Sequence, residues 1–339
     1  MRGVIGLDVG GANTKAVWRD GDARRAVSRP YEVWRDRATL TAVVRDVVAE
    51  AAGGEPVGLV ALTTTAELSD AFRTKREGVA FVLDAVEDAL PGPTLVFTTA
   101  GGLVSVAEAR ERPLEVAAAN WVASALAVGA LHPDALMLDV GSTTADVIPV
   151  AGGRVAAAGR TDLDRLLAGE LLYTGALRTN LATIAPRVPV RGRWCPVASE
   201  LFAISADVHL VLGHLTPGAY TCPTPDGREA TVAGARERIA RLVCSDVDQL
   251  EPAEIDAIAA FLHTEQVRQI EAAARQVATR DPESEAPVVA LGAGAFLARA
   301  AARRLGRAVV EMPWSAAERD AAPAAALAGL AAARVRASC

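Results

Sequence analysis

The amino-acid sequence predicts an α/β protein whose fold is a duplicated domain. Apolar runs bounded by glycine and proline, which are typical of buried strands, alternate with segments of helical periodicity. A strand, a glycine turn and a second strand also occur twice in register. Internal self-similarity of this kind indicates a repeated structural unit.

The first half of the chain alternates strands and helices. Strands are predicted where apolar residues run between Gly and Pro, and helices where apolar residues recur every three or four positions. The stretch 116–131 is short for a membrane span and contains Asn120 and Ser124, so it predicts a buried helix. The other predicted elements are strands over 3–9, 14–19, 24–34, 57–65 and 94–101 and helices over 38–52 and 79–90.

The second half is less regular. The tail beyond Met312 is expected to form one or two helices interrupted at Pro323. Residues 187–227 are rich in Pro, Trp, Cys and His and fit no regular template, as in a substrate-binding insertion or an ordinary long loop. The remaining predicted elements are a strand–turn–strand over 135–155, helices over 162–172 and 251–279, and a strand, glycine turn and helix over 287–306.

The two glycine turns align without a gap at a constant offset of 131 residues. Each turn follows an apolar strand that ends beside a carboxylate, and each precedes a second apolar strand. One such turn alone is more often a tight hairpin than a ligand site, whereas two in register favour phosphate binding. The matched positions are Asp8 with Asp139, Gly10 with Gly141, Gly11-Ala12-Asn13 with Ser142-Thr143-Thr144, and Ile5, Leu7 and Val9 with Leu136, Leu138 and Val140.

Glycine-rich turns let backbone N–H groups converge on phosphate oxygens, because no Cβ atoms obstruct them. The strand-end carboxylates Asp8 and Asp139 cannot bind phosphate directly, and their expected ligand is Mg²⁺, which bridges phosphate oxygens. Lys15 is expected to add a positive charge, so it joins the two aspartates as a candidate catalytic residue. The predicted phosphate-binding residues are Gly10, Gly11, Ala12, Asn13, Thr14, Gly141, Ser142, Thr143 and Thr144.

A third glycine turn, over residues 291–296, contains Gly292 and Gly294. It has two interpretations of equal weight. The turn contacts a nucleotide, or its glycines allow a helix to pack closely on a strand.

Composition excludes several classes of function. The chain has 339 residues, 35 Lys and Arg against 41 Asp and Glu, and a formal net charge of −6, so it lacks the basic surface that nucleic-acid binding needs. Its four cysteines, Cys195, Cys222, Cys244 and Cys339, form no CxxC pair, which predicts reduced thiols. We expect a soluble cytoplasmic protein without a membrane or nucleic-acid partner and without a redox cofactor, and a homo-oligomer is possible.

The paired loops and the late glycine turn resemble the sugar kinase, heat-shock 70 and actin superfamily. The resemblance implies two duplicated ribonuclease H-like lobes with a central cleft, in which the two loops hold one diphosphate or triphosphate from both sides. The implied domains are a first lobe over 1–132, a second lobe over 133–312 with a substrate insertion around 187–227, and a C-terminal helical segment over 313–339 that packs on the first lobe.

Further stretches resemble one small family related to the hydantoinase/oxoprolinase proteins and linked to tetrahydromethanopterin-dependent one-carbon transfer. They include "LTTTAELSDAFRTKREGV" at 62–79, "GELLYTGALRT" at 169–179 and "ADVHLVLG" at 206–213. In methanogens, members make a furan-methanamine precursor of methanofuran, and bacteria make the related cofactor methylofuran. The resemblance implies that an aminomethylfuran-methyl diphosphate and the phenol of a glutamyl-tyramine form an aryl ether, with pyrophosphate released.

The resemblance also implies a substrate side formed by the 62–79 stretch. Arg73 and Lys75 are candidates for anionic groups, and Glu67 and Asp70 for the substrate ammonium. By itself the stretch fits a solvated loop and helix start better than a substrate site, because Ser69-Asp70 has the form of a helix cap. Asp207 and His209, two residues apart on a predicted strand, would share one face and are further substrate-binding candidates.

Two other functions stay open at this stage. One is an ATP-dependent small-molecule kinase of the same superfamily, for which ATP would be the cofactor and the third glycine turn would receive adenosine. The other is a non-enzymatic module that binds a nucleotide only to change conformation. The fold alone does not distinguish them from the diphosphate-displacing transferase.

Overall fold

The computed structural model describes residues 3–281 and 283–337. Met1, Arg2, Pro282, Ser338 and Cys339 lie outside the described residues, so the predicted reduced state of the last cysteine is not addressed. Contacts divide the chain into two compact units. Among the described residues, unit 1 comprises 3–135, 148–164 and 311–337, and unit 2 comprises 136–147, 165–281 and 283–310. The domain boundaries expected from the sequence stay a prediction.

The described residues form strands and helices in alternation. The strands are β1 (Gly3–Val9), β2 (Asn13–Asp20), β3 (Ala23–Pro30), β4 (Val57–Thr64), β5 (Thr94–Phe97), β6 (Leu103–Ser105), β7 (Ala135–Val140), β8 (Ala145–Ala151), β9 (Arg154–Val155), β10 (Leu171–Leu172), β11 (Arg187–Val190), β12 (Arg193–Pro196), β13 (Val288–Leu291) and β14 (Val309–Val310). The helices are α1 (Leu40–Ala52), α2 (Lys75–Ala89), α3 (Val106–Glu111), α4 (Pro113–Val116), α5 (Asn120–Leu131), α6 (Asp162–Ala168), α7 (Ser205–Val211), α8 (Val232–Arg241), α9 (Pro252–Ala278), α10 (Ala295–Leu305), α11 (Ala316–Asp320) and α12 (Ala322–Ala337).

The sheet of unit 1 has the order β3-β2-β1-β4-β5-β6. β1 and β2 form an antiparallel hairpin, whereas β4 runs parallel to β1. Every residue of β1 is buried, because α1 covers one face of the sheet and α12 lies on the other. The approach of α12 requires Gly6, since a Cβ there would overlap the Ala324 carbonyl oxygen.

The sheet containing the second turn has the order β10-β8-β7-β13-β14. β7 and β8 form a hairpin, and β13 runs parallel to β7 with Leu291 opposite Asp139. Each sheet therefore places a parallel strand beside the first strand of its hairpin. The predicted duplication is confirmed as a repeat of topology, and the α/β fold class is confirmed with it.

Several predicted boundaries are wrong. α2 begins at Lys75 rather than 79, because Thr74 caps it: the Thr74 hydroxyl accepts a 3.1 Å hydrogen bond from the Glu77 N–H. Ser69 instead stabilises a turn through the Ala71 N–H. The predicted helix over 162–172 ends at Ala168, and its last two residues form β10.

The region 187–227 is more regular than the sequence predicts. It contains a two-stranded sheet, β11 with β12, and the helix α7. Asp207 and His209 lie on α7, so the predicted strand is wrong, and a separation of two residues on a helix does not place side chains on one face. In the C-terminal tail the break falls at Ala321, and Pro323 lies in the first turn of α12, where its missing N–H has no intrahelical acceptor to lose.

No helix in the described ranges is long and apolar enough to cross a membrane. Cys195, Cys222 and Cys244 are thiols.

Candidate functional site: two braced hairpin tips

The tip of the first hairpin follows β1. The Gly10 N–H donates a 2.9 Å hydrogen bond to the Asn13 carbonyl oxygen, which closes the turn. A Cβ on Gly10 would lie 2.8 Å from that oxygen, closer than real Cβ atoms approach, so the turn requires glycine. Asp8 lies just before the turn, paired in register with Lys15 of β2.

The tip of the second hairpin has the same closing hydrogen bond. The Gly141 N–H donates to the Thr144 carbonyl oxygen at 2.9 Å, and both positions are the first-tip positions displaced by 131 residues. Asp139 occupies the place of Asp8 at the end of β7. The sequence repeat therefore corresponds to a repeat of backbone hydrogen bonding.

Hydrogen bonds from a neighbouring segment, which we call the brace, fix the peptide planes at each tip. The carbonyl oxygen of Gly11 accepts from the Val33 N–H at 3.1 Å, and that of its counterpart Ser142 accepts from the N–H groups of Leu177 and Arg178 at 3.0 and 2.9 Å. Each brace follows the outer strand of its sheet, β3 in one and β10 in the other.

The braces determine where the tip amides point. No cis peptide occurs in the described backbone, so the C=O and N–H of each braced peptide point in opposite directions. The N–H groups of Ala12 and Thr143, which follow Gly11 and Ser142, are therefore directed away from their braces. Backbone N–H donors at a glycine turn suit an anion.

Asp8 supplies an unpartnered buried oxygen beside the first tip. The residue is 6% exposed, and its Oδ1 has no hydrogen-bond partner in the described part of the chain. Burial raises the pKa of Asp8 to about 6, although the charge of Lys15 opposes the shift. A buried carboxylate without a donor is unfavourable unless a cation neutralises it.

Asp139 lies against the third glycine turn. A Cβ on Gly292 would lie 2.5 Å from Asp139 Oδ1, and Gly292 has a φ of +81°, which favours glycine. The Gly294 N–H donates to the Val140 carbonyl oxygen at 2.7 Å. Of the two interpretations of this turn, close packing is observed; a nucleotide contact stays a prediction.

Lys15 is directed toward the C-terminal region of unit 1. Its Nζ donates a 2.8 Å hydrogen bond to the Asp320 carbonyl oxygen at the end of α11. The ammonium group thus has a protein acceptor, and its contact with phosphate stays a prediction.

The side chains predicted on 62–79 differ in exposure. Glu67 is buried, whereas Asp70 and Arg73 are exposed. Lys75 Nζ lies 2.6 Å from Asp162 Oδ2 in an ion pair within unit 1. The structure therefore separates one buried carboxyl from two solvated side chains, and their substrate contacts stay predictions.

Asp207 and His209 are fully buried in unit 2. Asp207 Oδ1 accepts hydrogen bonds from Arg238 Nε at 2.9 Å and from the Tyr220 hydroxyl at 3.0 Å. His209 Nε2 lies 3.0 Å from Gln266 Oε1, and burial lowers the pKa of His209 to about 3. Both side chains have intramolecular partners, and their predicted role in substrate binding stays a prediction.

Sequence reasoning missed the residues that support the second tip. A Cβ on Gly175 would lie 2.5 Å from the Ser142 carbon and the Thr143 nitrogen, so the tip rests directly on this glycine. Ser205 and Gln266 both donate to the Gly175 carbonyl oxygen at 2.8 Å. Gly175 lies in the 169–179 stretch, which carries part of the family resemblance, but the sequence analysis assigns no role to Gly175, Ser205 or Gln266.

The chemistry of Asp8 fits Mg²⁺ as an ion shared with a phosphate ligand. No group of three or more His, Cys, Asp or Glu side chains within residues 3–281 and 283–337 is arranged to hold a metal. Mg²⁺ commonly takes one or two carboxylates, retains several waters and completes its shell with substrate phosphates. The unpartnered Oδ1 of Asp8 is a suitable oxygen ligand of that kind.

Comparison with known proteins identifies the family. The family model described as hydantoinase/oxoprolinase matches residues 59–334. The chain belongs to the hydantoinase/oxoprolinase family. The matched hydantoinase/oxoprolinase region includes the second tip with its brace and the third glycine turn.

Two hydantoinase/oxoprolinase relatives have the same curated name, (4-{4-[2-(gamma-L-glutamylamino)ethyl]phenoxymethyl}furan-2-yl)methanamine synthase. The protein of Methanocaldococcus jannaschii is 34% identical over 290 residues, covering 85% of this chain and 86% of its own length. That of Methanococcus vannielii is 41% identical over 124 residues, covering 37% of this chain and 55% of its own length. The resemblance found in the sequence is confirmed.

A solved structure supports the fold. The nucleotide-free structure of acetone carboxylase aligns with 97% of this chain and 70% of its own, with a TM-score of 0.60 and 12% identity. At that identity the likeness shows the fold alone.

Proposed function

We propose that this protein is a Mg²⁺-dependent transferase that joins the phenol of a (glutamyl)tyramine to the methylene of an aminomethylfuran-methyl diphosphate and releases pyrophosphate. The observation that supports it most directly is the 34% identity over 85% of the chain with a synthase whose name describes a phenoxymethyl-furan. In such a product, a phenol oxygen is bonded to a methylene on a furan ring.

The braced tips suit the leaving group of this reaction. Forming the ether requires that a diphosphate depart with the electron pair of its C–O bond, so negative charge grows on the phosphate oxygens. Preorganised N–H donors stabilise such charge without reorganising during the reaction. We assign this task to the outward-directed amides of both tips, including those of Ala12 and Thr143.

Mg²⁺, when bound, would neutralise the diphosphate and make it a better leaving group. Asp8 and Asp139 are the residues that would hold it. Asp8 offers an oxygen without a protein partner, and the packing of Gly292 holds the Asp139 carboxylate in place. A carboxylate whose pKa is raised to about 6 is still mainly ionised at neutral pH and can bind a cation.

The decisive experiment mixes the purified protein with Mg²⁺, the furan diphosphate and a tyramine or its glutamyl form. We expect stoichiometric pyrophosphate and an ether product identified by mass spectrometry. Absence of both would refute the proposal. Strong thermal protection by Mg²⁺ with ATP but none by Mg²⁺ with pyrophosphate would favour the alternative, an ATP-dependent small-molecule kinase.

Matched variants test the two carboxylates. Asp8→Asn and Asp139→Asn should each abolish turnover while the protein stays folded, because an amide keeps the shape but is a poor Mg²⁺ ligand. Asp22→Asn, in the exposed turn between β2 and β3, is the control and should be fully active. Near-normal activity of either loop variant would contradict the assignment of Mg²⁺.

A further inference from the structure

The proposed reaction needs a group that removes the phenol proton, and Glu67 is a buried carboxyl to which no task has been assigned. It lies just after β4, whose carboxyl end adjoins the first tip. The Thr65 N–H donates to the Val9 carbonyl oxygen at 3.0 Å, and Thr64 Oγ1 donates to the same oxygen at 3.1 Å. Glu67 is thereby held on the same backbone framework as Asp8, at the strand ends where ligands of α/β sheets bind.

The backbone of Glu67 is fixed by close packing. A Cβ on Gly78 of α2 would lie 2.5 Å from the Glu67 Cα, so the helix can approach this closely only with glycine there. Glu67 Oε2 lies 3.3 Å from the hydroxyl of Thr64. The two carboxyl oxygens therefore differ: Oε2 has a hydroxyl neighbour, whereas Oε1 has no hydrogen-bond partner in the described residues.

The second oxygen of Glu67 lacks a partner. The residue is 1% exposed, and no donor in the described residues reaches its Oε1. Buried polar atoms are nearly always hydrogen-bonded, so an orphaned carboxyl oxygen at a ligand-binding edge indicates that a ligand supplies the hydrogen.

The surroundings of Glu67 give its carboxyl a pKa that suits a general base. Burial raises the pKa of Glu67 to about 7, and the charged groups that affect it are Asp162, which raises it further, and Lys75, which lowers it. These two are paired with each other at 2.6 Å, which reduces their net effect. A base whose pKa is close to the working pH combines a useful ionised fraction with sufficient basicity.

We propose that Glu67 is the general base of the reaction, an inference that rests on the proposed ether-forming function. Its Oε1 accepts the proton of the phenol. The phenol oxygen uses the freed electron pair to bond the furan methylene, and the C–O bond to the diphosphate breaks with its electrons leaving on pyrophosphate. Atoms and charge balance with one proton on Glu67, which water removes before the next turnover.

Other nearby carboxylates are less suited to this role. Asp162 is held in its ion pair with Lys75, and Asp70 is exposed to solvent. Asp8 is assigned to Mg²⁺, which would keep it ionised and unable to hold a proton. An ammonium-binding role for Glu67, the alternative from the sequence, would require a permanent negative charge that its burial disfavours.

The test is Glu67→Gln, which keeps the shape but cannot accept a proton. We expect kcat to fall by about 10²- to 10⁴-fold, the usual contribution of a positioned base. Binding of Mg²⁺-pyrophosphate should be unchanged, which shows that the variant is folded. Glu87→Gln, on the exposed face of α2, is the control and should retain wild-type kcat.

Two further readouts separate a base from a structural residue. The kcat/KM of the wild type should decrease as the pH is lowered below about 7. This acidic limb should be absent from the pH profile of Glu67→Gln. A difluorinated tyramine, whose phenol ionises more easily, should reduce the defect of the variant by about tenfold or more, because less basic assistance is needed.

The outcomes are distinguishable. A wild-type protein that makes no ether overturns the proposed function and the role of Glu67 with it. An active wild-type protein beside a Glu67→Gln variant with unchanged kcat overturns the role of Glu67 alone. A raised KM for the amine-bearing furan with unchanged kcat overturns it as well, in favour of ammonium binding.

Discussion

The side-chain amide of Gln266 donates a 2.8 Å hydrogen bond to the carbonyl oxygen of Gly175, the residue on which the second tip rests. The same nitrogen donates to Thr174 Oγ1 at 3.0 Å. Both amide hydrogens are thus used, so Gln266 Oε1 accepts from His209, whose Nε2 must carry the hydrogen. A buried chain of hydrogen bonds therefore runs from α7 through α9 to the support of Ser142.

Replacing Gln266 should loosen the second tip. Gln266→Leu removes a donor from the Gly175 carbonyl and leaves His209 without its acceptor, a loss of about 1–3 kcal/mol for a buried polar group. We expect the Kd for Mg²⁺-pyrophosphate, measured by calorimetry, to rise by about tenfold, equivalent to about 1.4 kcal/mol.

A neighbouring glutamine on α9 is the control. Gln269 donates to the carbonyl oxygens of Thr183 and Ile184, which are not part of the brace. Gln269→Leu should lower stability without changing pyrophosphate affinity. Equal affinities in both variants would show that the hydrogen-bond chain from His209 does not position the tip.

The raised pKa of Glu67 predicts a dependence of stability on pH. Because the folded-state pKa of about 7 exceeds the unfolded value of 4.5, the folded protein binds more protons between these limits, and its stability falls as pH rises through this window. The full cost of ionising the buried carboxyl is on the order of 3 kcal/mol at pH 8. Without ligand, Glu67→Gln should therefore be more stable than wild type at pH 8 and similar at pH 4.

Urea denaturation at the two pH values measures this difference, and subtracting the variant from wild type removes the contributions of other titrating groups. Glu87→Gln serves again as the control: it breaks only a surface ion pair with Arg110, so it should differ from wild type by about 1 kcal/mol or less at both pH values. A variant that is equally stable or less stable at pH 8 would show that ionised Glu67 is not disfavoured in the folded protein.

The fold class and the duplication could be predicted from the sequence because they follow from local patterns. Buried strands such as β1 and β7 are nearly continuous apolar runs, and the repeat of Asp8 and Asp139 with their glycines requires only an alignment of the chain with itself. The predicted pair of hairpins is confirmed, and so is the family resemblance.

The support of the second tip could not be predicted, because it depends on contacts between residues that are distant in sequence. Gln266 is 91 positions from Gly175, and no local pattern indicates that the two meet. The sequence analysis places Asp207 and His209 on a strand. The structure instead shows the helix α7, whose first turn is capped by the Asp207 side chain, which accepts from the Ile204 N–H at 3.0 Å. Tertiary packing overrode the local pattern there.

Gly292 should be required for its contact with Asp139 and not only for its backbone angle. Gly292→Ala places a Cβ 2.3 Å from the Val140 carbonyl oxygen and 2.5 Å from Asp139 Oδ1, so the end of β7 and the carboxylate must both shift. Gly306→Ala is the matched control, because Gly306 has a similar φ of +72° but no atom within 4 Å of its Cβ position.

Gly306→Ala should lose about 1 kcal/mol of stability from backbone strain. Gly292→Ala should lose more, because its Cβ would also meet the backbone of Val140. In a pyrophosphate-release assay, only Gly292→Ala should lose activity, by about 10²-fold, the scale on which small misplacements of catalytic groups act. Equal activity in the two variants would contradict the placement of Asp139 in the site.

A substitution of Asp207 tests whether this residue has a structural role or binds substrate. Asp207→Asn retains an oxygen for the helix cap but leaves the guanidinium of Arg238, which is fully buried, without its closest counter-charge. Breaking a buried pair in this way costs about 3–5 kcal/mol.

The control is Asp256→Asn. Asp256 pairs at the surface with Arg236, which lies on α8 as Arg238 does, and a surface pair contributes about 1 kcal/mol or less. Urea denaturation should show a large loss for the first variant and a small loss for the second, with KM for both substrates unchanged in the folded fraction. A stable Asp207→Asn protein with a raised KM would instead establish Asp207 as a substrate contact.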